Sequence, residues 1–311
     1  MGEIIGHKSI IDSFKKRVDL SEISHAHIIV GADGIGKSNL ANKFARNILG
    51  KLEDKDYIDI INYRCKKASF GVDDVREIVE EINKKPFEGD KKVIIIYDGN
   101  KLTVQAQNAL LKTIEEPPNG VYIILLCESL ELILDTIKSR CQIYKLSPLT
   151  KGEIRTYLSN MNSDDFSEEE VNAAIAFSEG VPGKAEAFLR DSSLKDLRNT
   201  LVEFLFLITK SSSIELLDFE TKIVVFKDKK EDILNILASF IRDIIVYKEI
   251  NDDNGIINGD KIESIKKLAI EMSYKKLNKI IDKIGEARKS LLSNSNFQLT
   301  IRVMLIGFME V

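Results

Sequence analysis

Cysteine and unbroken apolar stretches are both scarce in this chain of 311 residues. Its three cysteines, Cys65, Cys127 and Cys141, stand apart with no Cys-x-x-Cys pair among them. That spacing supports neither a disulfide framework nor a zinc site, and it fits a reducing, cytoplasmic setting. The longest apolar runs, such as residues 121–127, fall far short of a membrane span, and the N-terminus does not read as a signal peptide. No membrane partner is therefore expected. A basic excess is missing too: 45 Lys and Arg against 49 Asp and Glu leave a net charge of −4. A protein built to coat nucleic acid would be basic, so any DNA contact must be local. Internal repeats and low-complexity tracts are absent. With 44% apolar and 30% charged residues the composition is that of a globular protein, and the length suggests two or three domains.

The first half alternates short apolar runs with helical patterns. Runs rich in Ile and Val fall at 26–31, 57–61, 93–98, 121–127 and 142–146, with helical periodicity at 8–18, 37–49, 72–82 and 103–116. Near-continuous apolar strands between helices predict a parallel sheet covered on both faces. After Pro148 the strands stop. Residues 151–160, 168–178 and 182–190 read as three short helices, and longer helices follow from about Ser193. The polar stretch 251–260 (NDDNGIINGD) reads as an exposed loop. Phe297, Ile301, Met304, Leu305 and Phe308 share one face of a final helix. The expected fold class is thus α/β plus all-α: a parallel-sheet domain over 1–148, a small three-helix lid over 149–192 and a helical domain over 193–311.

One motif stands out. Gly31-Ala32-Asp33-Gly34-Ile35-Gly36-Lys37-Ser38 follows the first strand and opens a helix, matching the G-x-x-x-x-G-K-[ST] phosphate loop in pattern and context. Gly31, Gly34 and Gly36 let successive backbone N–H groups turn towards phosphate oxygens, and the helix N-terminus adds partial positive charge. Lys37 would reach the β- and γ-phosphates of ATP or ADP, and Ser38 would hold Mg²⁺. Hydrolysis asks for more, namely a second strand ending in an acid with a base beside it. The strand 93–98 ends in Asp98, a candidate Mg²⁺ ligand, but Gly99 follows. The site is equipped to grip a nucleotide and poorly equipped to cleave it.

Further strings point in one direction. NALLKTIEEPP at 108–118 is a helix ended by two prolines, SRC at 139–141 precedes the fifth strand, SHAH at 24–27 leads into the first, and GVPGKA spans 180–185. Together they resemble the AAA+ clamp-loader subunits of bacterial DNA polymerase III, in order from about Ile4 to Ala185. The stretch LLSNSNFQLTIRVML at 291–305 is similar, more weakly, to that family's oligomerising collar. The resemblance implies an AAA+ phosphate-loop domain, a lid and a collar. It also implies a role in DNA replication, with the loader's gamma/tau and delta subunits, the sliding clamp and, through the complex, primer-template DNA as partners.

Within the family, departures from the ATP-hydrolysing gamma/tau motor pattern match the delta-prime type, a fixed stator. The motor's acidic pair is reduced to Asp98-Gly99, and Cys127-Glu128 replaces the polar residue after the fourth strand. Gly183, with Lys184 next to it, stands where the motor has an arginine. A four-cysteine zinc module between Leu49 and Ser69 is reduced to Cys65, so no zinc is expected. By the same resemblance Arg140 projects into a neighbour's ATP site, where a planar guanidinium stabilises charge on the γ-phosphate.

The remaining candidates read as structural. Cys141 is a small apolar side chain, Ser139 a local cap, and the histidines His7, His25 and His27 lack an accompanying nucleophile and acid. His25 is expected near the nucleotide, with Ile4 and Ile5 against adenine. Glu115 and Glu116 point in different directions on a helix and cannot share a proton, which leaves capping or a subunit contact. The stretch 84–92 (KKPFEGDKK) reads as a solvated charged turn. Two alternatives stand beside the stator: a self-sufficient motor using another base such as Glu128, and a phosphate-loop kinase, which the helical last third disfavours.

Overall fold

The computed structural model describes residues 4–65, 67, 69–161, 166–209, 213–253, 255–293 and 295–309, without the side chains of 213–218. By internal contacts the chain divides into two compact units, Met1–Met161 with Glu179–Gly183, and Asn162–Ser178 with Lys184–Val311.

The first unit is built on five parallel strands, β1 (Ala26–Val30), β2 (Ile60–Tyr63), β3 (Lys92–Ile96), β4 (Val121–Cys127) and β5 (Gln142–Lys145), in the order β2-β3-β4-β1-β5. Strands β1, β3 and β4 are buried along their whole length, whereas the edge strands β2 and β5 are partly open. Alternation of side chains across the sheet sorts them into two cores. Ile28, Ile94, Ile96, Ile123 and Leu125 meet α3 (Val72–Ile82) and α4 (Val104–Glu115) on one face. Ile29, Val93, Ile95, Ile124 and Leu126 meet α1 (Lys8–Asp19) and α2 (Lys37–Ile48) on the other. Burial on both faces is why the strands carry continuous apolar runs. Phe14 of α1 stacks on Phe44 of α2 at 3.5 Å between ring centroids. A single helical turn, α5 (Asp135–Lys138), precedes β5, and α6 (Lys151–Ser159) follows it, opened by a capping box between Thr150 and Glu153.

The predicted second strand lies later than expected, at Ile60–Tyr63 rather than 57–61. Asp59 ends up buried, accepting hydrogen bonds from the Phe87 and Glu88 N–H groups at 2.6 and 2.8 Å. The 84–92 stretch is accordingly anchored rather than merely solvated. Lys92 at its end is also buried, donating to the Glu81 carboxylate at 3.1 Å and to the carbonyls of Glu81 and Lys84. Those carbonyls close the C-terminal end of α3, a favourable place for a cation.

The second unit is helical: α7 (Glu168–Phe177), most of α8 (Pro182–Arg190), α9 (Ser192–Thr209), α10 (Ser213–Val224), α11 (Lys230–Ile250), α12 (Ile262–Glu271), α13 (Tyr274–Leu292) and α14 (Phe297–Met309). Its core takes Leu201, Phe204 and Leu205 from α9, Leu237 and Phe240 from α11, Ile280 from α13, and Ile301, Met304, Leu305 and Phe308 from α14. The predicted face of the last helix is the buried one. The loop before α12 departs from its expected exposure, because its end turns inward. Asn258 is fully buried, and the equally buried Asp243 accepts from the backbone N–H groups of Ile257 and Asn258 and from the Asn258 amide. Arg198 pairs with both carboxylate oxygens of Asp260 and lies over the Phe188 ring. Buried charge persists only where it is paired and hydrogen-bonded in this way. Among the described residues, no helix is long and apolar enough to cross a membrane.

Candidate functional site

The phosphate loop lies at the carboxyl end of β1, where β4 flanks one side and β5 the other. Chain connections depart to opposite sides there, which opens a crevice beyond the strand ends. The Gly31 N–H donates to the Cys127 carbonyl at 3.2 Å, tying the loop's first residue to the end of β4. Gly34 and Gly36 have φ of 77° and 104°, left-handed backbone that only glycine adopts without strain. Gly36 is the N-cap of α2 and carries no side-chain cap, so the first-turn N–H groups face the crevice without an intrahelical partner. Nothing lies within 4 Å of where a Gly36 Cβ would stand. Lys37 Nζ donates to the carbonyls of Gly31 and Ala32, both at 2.9 Å. These residues fit a phosphate chain: a nest of N–H groups at a helix N-terminus, with an ammonium group folded over it.

The acid side of the crevice is less complete. Asp98 follows β3 with left-handed backbone (φ 55°), and its carboxylate is 3.4 Å from Lys101 Nζ. Gly99 begins a short 3-10 turn and is packed so closely that a Cβ would stand 2.7 Å from Leu125 Cδ1 and 3.0 Å from the Leu126 carbonyl. A glutamate at 99 therefore has no room without displacing β4. The Glu128 N–H reaches Asn100 Oδ1 at 3.4 Å, and the Glu128 side chain is exposed. Burial pushes the Cys127 thiol up to about 11, with Lys37 acting in the opposite direction. It is an apolar wall of the site.

Gly183 comes against the loop from the other side of the sequence. Its N–H donates to the Gly34 carbonyl at 3.0 Å, and a Cβ on Gly183 would be 2.8 Å from Gly34 Cα. The position expected to have lost an arginine is thus one where backbone meets backbone. His7, not His25, is the histidine beside the loop. Burial holds its pKa below the usual imidazole value, against the pull of Glu153 and of the Ile35 backbone. His25 accompanies Val121 and Tyr122 at the amino ends of β1 and β4, with Nδ1 3.2 Å from the Val121 carbonyl and its ring stacked on Tyr122. Ile4 packs against the core on the α1 and α2 face.

Arg140 sits apart from the loop, between α5 and β5. Its side chain is 41% exposed, and Nε lies 2.7 Å from Glu115 Oε1. Nη1 donates to the Thr136 carbonyl at 3.0 Å and to Ser139 Oγ at 3.2 Å, while Ser139 Oγ donates to the same carbonyl at 3.1 Å. Ser139 is the C-cap of α5. Burial pushes the Cys141 thiol up to about 12, which leaves it unreactive. Glu115, expected to cap a helix or touch a subunit, forms an ion pair with the arginine. The pairing was not visible in either motif alone, although the two motifs occur together.

Comparison with known proteins sets this geometry in a family. The family model described as DNA polymerase III, delta subunit, matches residues 6–150, and that described as its C-terminal part matches 195–310. The DNA polymerase III subunit delta' of Escherichia coli is 30% identical over 243 residues, covering 77% of this chain and 70% of that protein. The chain belongs to the clamp-loader subunits of DNA polymerase III. Its fold is that of the AAA+ members. A DNA polymerase III gamma subunit-related protein of Thermotoga maritima superposes with a TM-score of 0.53 at 16% identity, covering 96% of the loader subunit and 98% of the other chain. The subunit gamma of Buchnera aphidicola subsp. Baizongia pistaciae is 29% identical to the loader subunit, over 80% of it and 70% of that protein. Overall identity thus places this loader subunit equally near delta' and gamma relatives.

Proposed function

We propose that this clamp-loader subunit is of the delta' type, a stator that donates Arg140 to the ATP site of a neighbouring subunit. The observation that carries the proposal is a contrast within one domain. Arg140 is anchored and accessible, whereas the chain's own crevice has no room for a base at Gly99. Lys37, Ser38 and the first-turn N–H groups of α2 would hold the phosphates of ATP or ADP, with Lys37 exchanging its two loop carbonyls for phosphate oxygens. Asp98 would join Ser38 at Mg²⁺. The nucleotide would supply a transferable γ-phosphoryl group, and this chain's residues around it bind rather than cleave.

At the neighbour's site Arg140 would meet the γ-phosphate and stabilise charge that grows in the transition state, an effect on the order of 10³–10⁵ in rate for such residues. The helical second unit, including α14, would join the gamma/tau and delta subunits in a pentamer. That assembly opens the sliding clamp and places it on primer-template DNA. The gamma-type motor remains a second reading, favoured by the complete phosphate loop and by Glu128 at the end of β4. A loader reconstituted with Arg140→Lys tests the donation. A lysine keeps the charge but lacks the planar fork, so DNA- and clamp-stimulated hydrolysis is expected to fall at least tenfold with assembly intact. Unchanged hydrolysis would remove the stator reading.

A further inference from the structure

The two most distinctive motifs of the sequence meet in space at Arg140. Pro117 and Pro118 bar any continuation of α4, which fixes Glu115 in its last turn. Twenty-five residues later (140 − 115) the chain leaves α5 through Ser139 and brings Arg140 Nε to 2.7 Å from Glu115 Oε1. A guanidinium has five N–H bonds in a rigid plane. Nε forms the ion pair with Glu115, and Nη1 donates inward to the Thr136 carbonyl and to Ser139 Oγ. Among the described residues no hydrogen bond is made by Nη2. The edge carrying Nη2 is therefore the one left for an anion outside the chain.

We infer that Glu115 is a positioning residue for Arg140. Resting on the proposal that Arg140 acts in a neighbour's ATP site, this assigns the Glu115 carboxylate a task in that reaction without contact to the nucleotide. An arginine side chain has four rotatable bonds, and a charge that wanders by an ångström loses much of its value at a phosphoryl group. Glu115 at one end and the Thr136 carbonyl at the other hold the guanidinium plane at two points. With Glu115 beside Nε and Nη1 engaged inward, Nη2 is the nitrogen left without a hydrogen bond on a side chain that is 41% exposed. Glutamine at 115 could still accept from Nε through its amide oxygen. Alanine could not.

The test uses a loader reconstituted from this chain, its gamma-type and delta partners, sliding clamp and primed DNA. Glu115→Ala is expected to lower kcat for ATP on the order of tenfold with KM unchanged, and Glu115→Gln to recover most of the rate. The Glu115→Ala, Arg140→Ala double variant should be no slower than Arg140→Ala alone, since one residue acts through the other. A rate that is unchanged or raised by Glu115→Ala, while Arg140→Ala is strongly impaired, overturns the positioning role and leaves arginine donation standing. Additive losses overturn it as well. If Arg140→Ala has no effect, the donation proposal fails and takes this role with it. A measurement without hydrolysis probes the contact itself. In the ¹⁵N-labelled chain, Nε–H of Arg140 should be ordered in the wild type and mobile in Glu115→Ala, and equal order in both would overturn the inference. Glu115 is about half exposed, and gel filtration with a thermal melt checks that each variant folds and assembles.

Discussion

At Arg140 the chemistry depends on which guanidinium nitrogens are already engaged, and at His27 on burial, which outweighs the opposing pull of the Ser24 backbone. His27 is buried on β1, against Phe14 and Tyr144, and neither ring nitrogen has a hydrogen-bond partner among the described residues. Burial lowers its pKa to about 4 from an ordinary 6.5. In the unfolded chain the ring takes up a proton near pH 6.5, while the native ring resists until about pH 4. The unfolded state binds more protons in that window, so the native state loses stability as pH falls through it, by at most about 3 kcal/mol. The thermal midpoint of the wild type is expected to drop between pH 6.5 and 5, and that of His27→Leu to drop less. Identical pH slopes would show that His27 is not the titrating group. Single residues of this kind were only partly legible. The phosphate loop is a contiguous motif and could be read off, residue by residue. His25 could not be placed, because β1 is five residues long and separates its two ends by about 13 Å. Nearness to the strand's start said nothing of nearness to the loop after it.

Between elements, the packing of the strand ends decides what the crevice can do. The 3-10 turn at Gly99 lies so close to β4 that position 99 accepts no side chain in place. Restoring the motor's acid pair with Gly99→Glu is therefore expected to cost stability, about 1–3 kcal/mol, as overpacking usually does, and to add no ATP turnover to the isolated chain. A melt and a phosphate-release assay on the same preparation check both. A stable variant that hydrolyses ATP would contradict the packing argument. Sequence showed that a base was missing at 99; only the distance to Leu125 shows that it cannot simply be put back. The same holds for Gly183, where the missing arginine is legible and the backbone contact with Gly34 is not. Contacts across long separations leave no periodic trace. The Glu115–Arg140 pair escaped for that reason, although both of its motifs were in view.

For the whole molecule, the parallel sheet and the helical second unit followed from pattern, since strands buried on both faces and amphipathic helices each announce themselves. The buried end of the loop before α12 did not. A stretch of Asn, Asp and Gly reads as solvated, and only the fold reveals that Asp243 and Arg198 provide partners for Asn258 and Asp260. The family resemblance was read from a few short strings, and a delta' relative matches at 30% identity over 243 residues. The division of labour within the loader is finer than that, because delta' and gamma relatives match to the same extent. The deciding measurement compares two loaders, one with Lys37→Ala and one with Arg140→Ala in this chain, for ATP hydrolysis stimulated by clamp and primed DNA. A stator predicts a loss of at least about a hundredfold with Arg140→Ala and little change with Lys37→Ala. Abolition by Lys37→Ala with Arg140→Ala intact would contradict it and make this chain a motor.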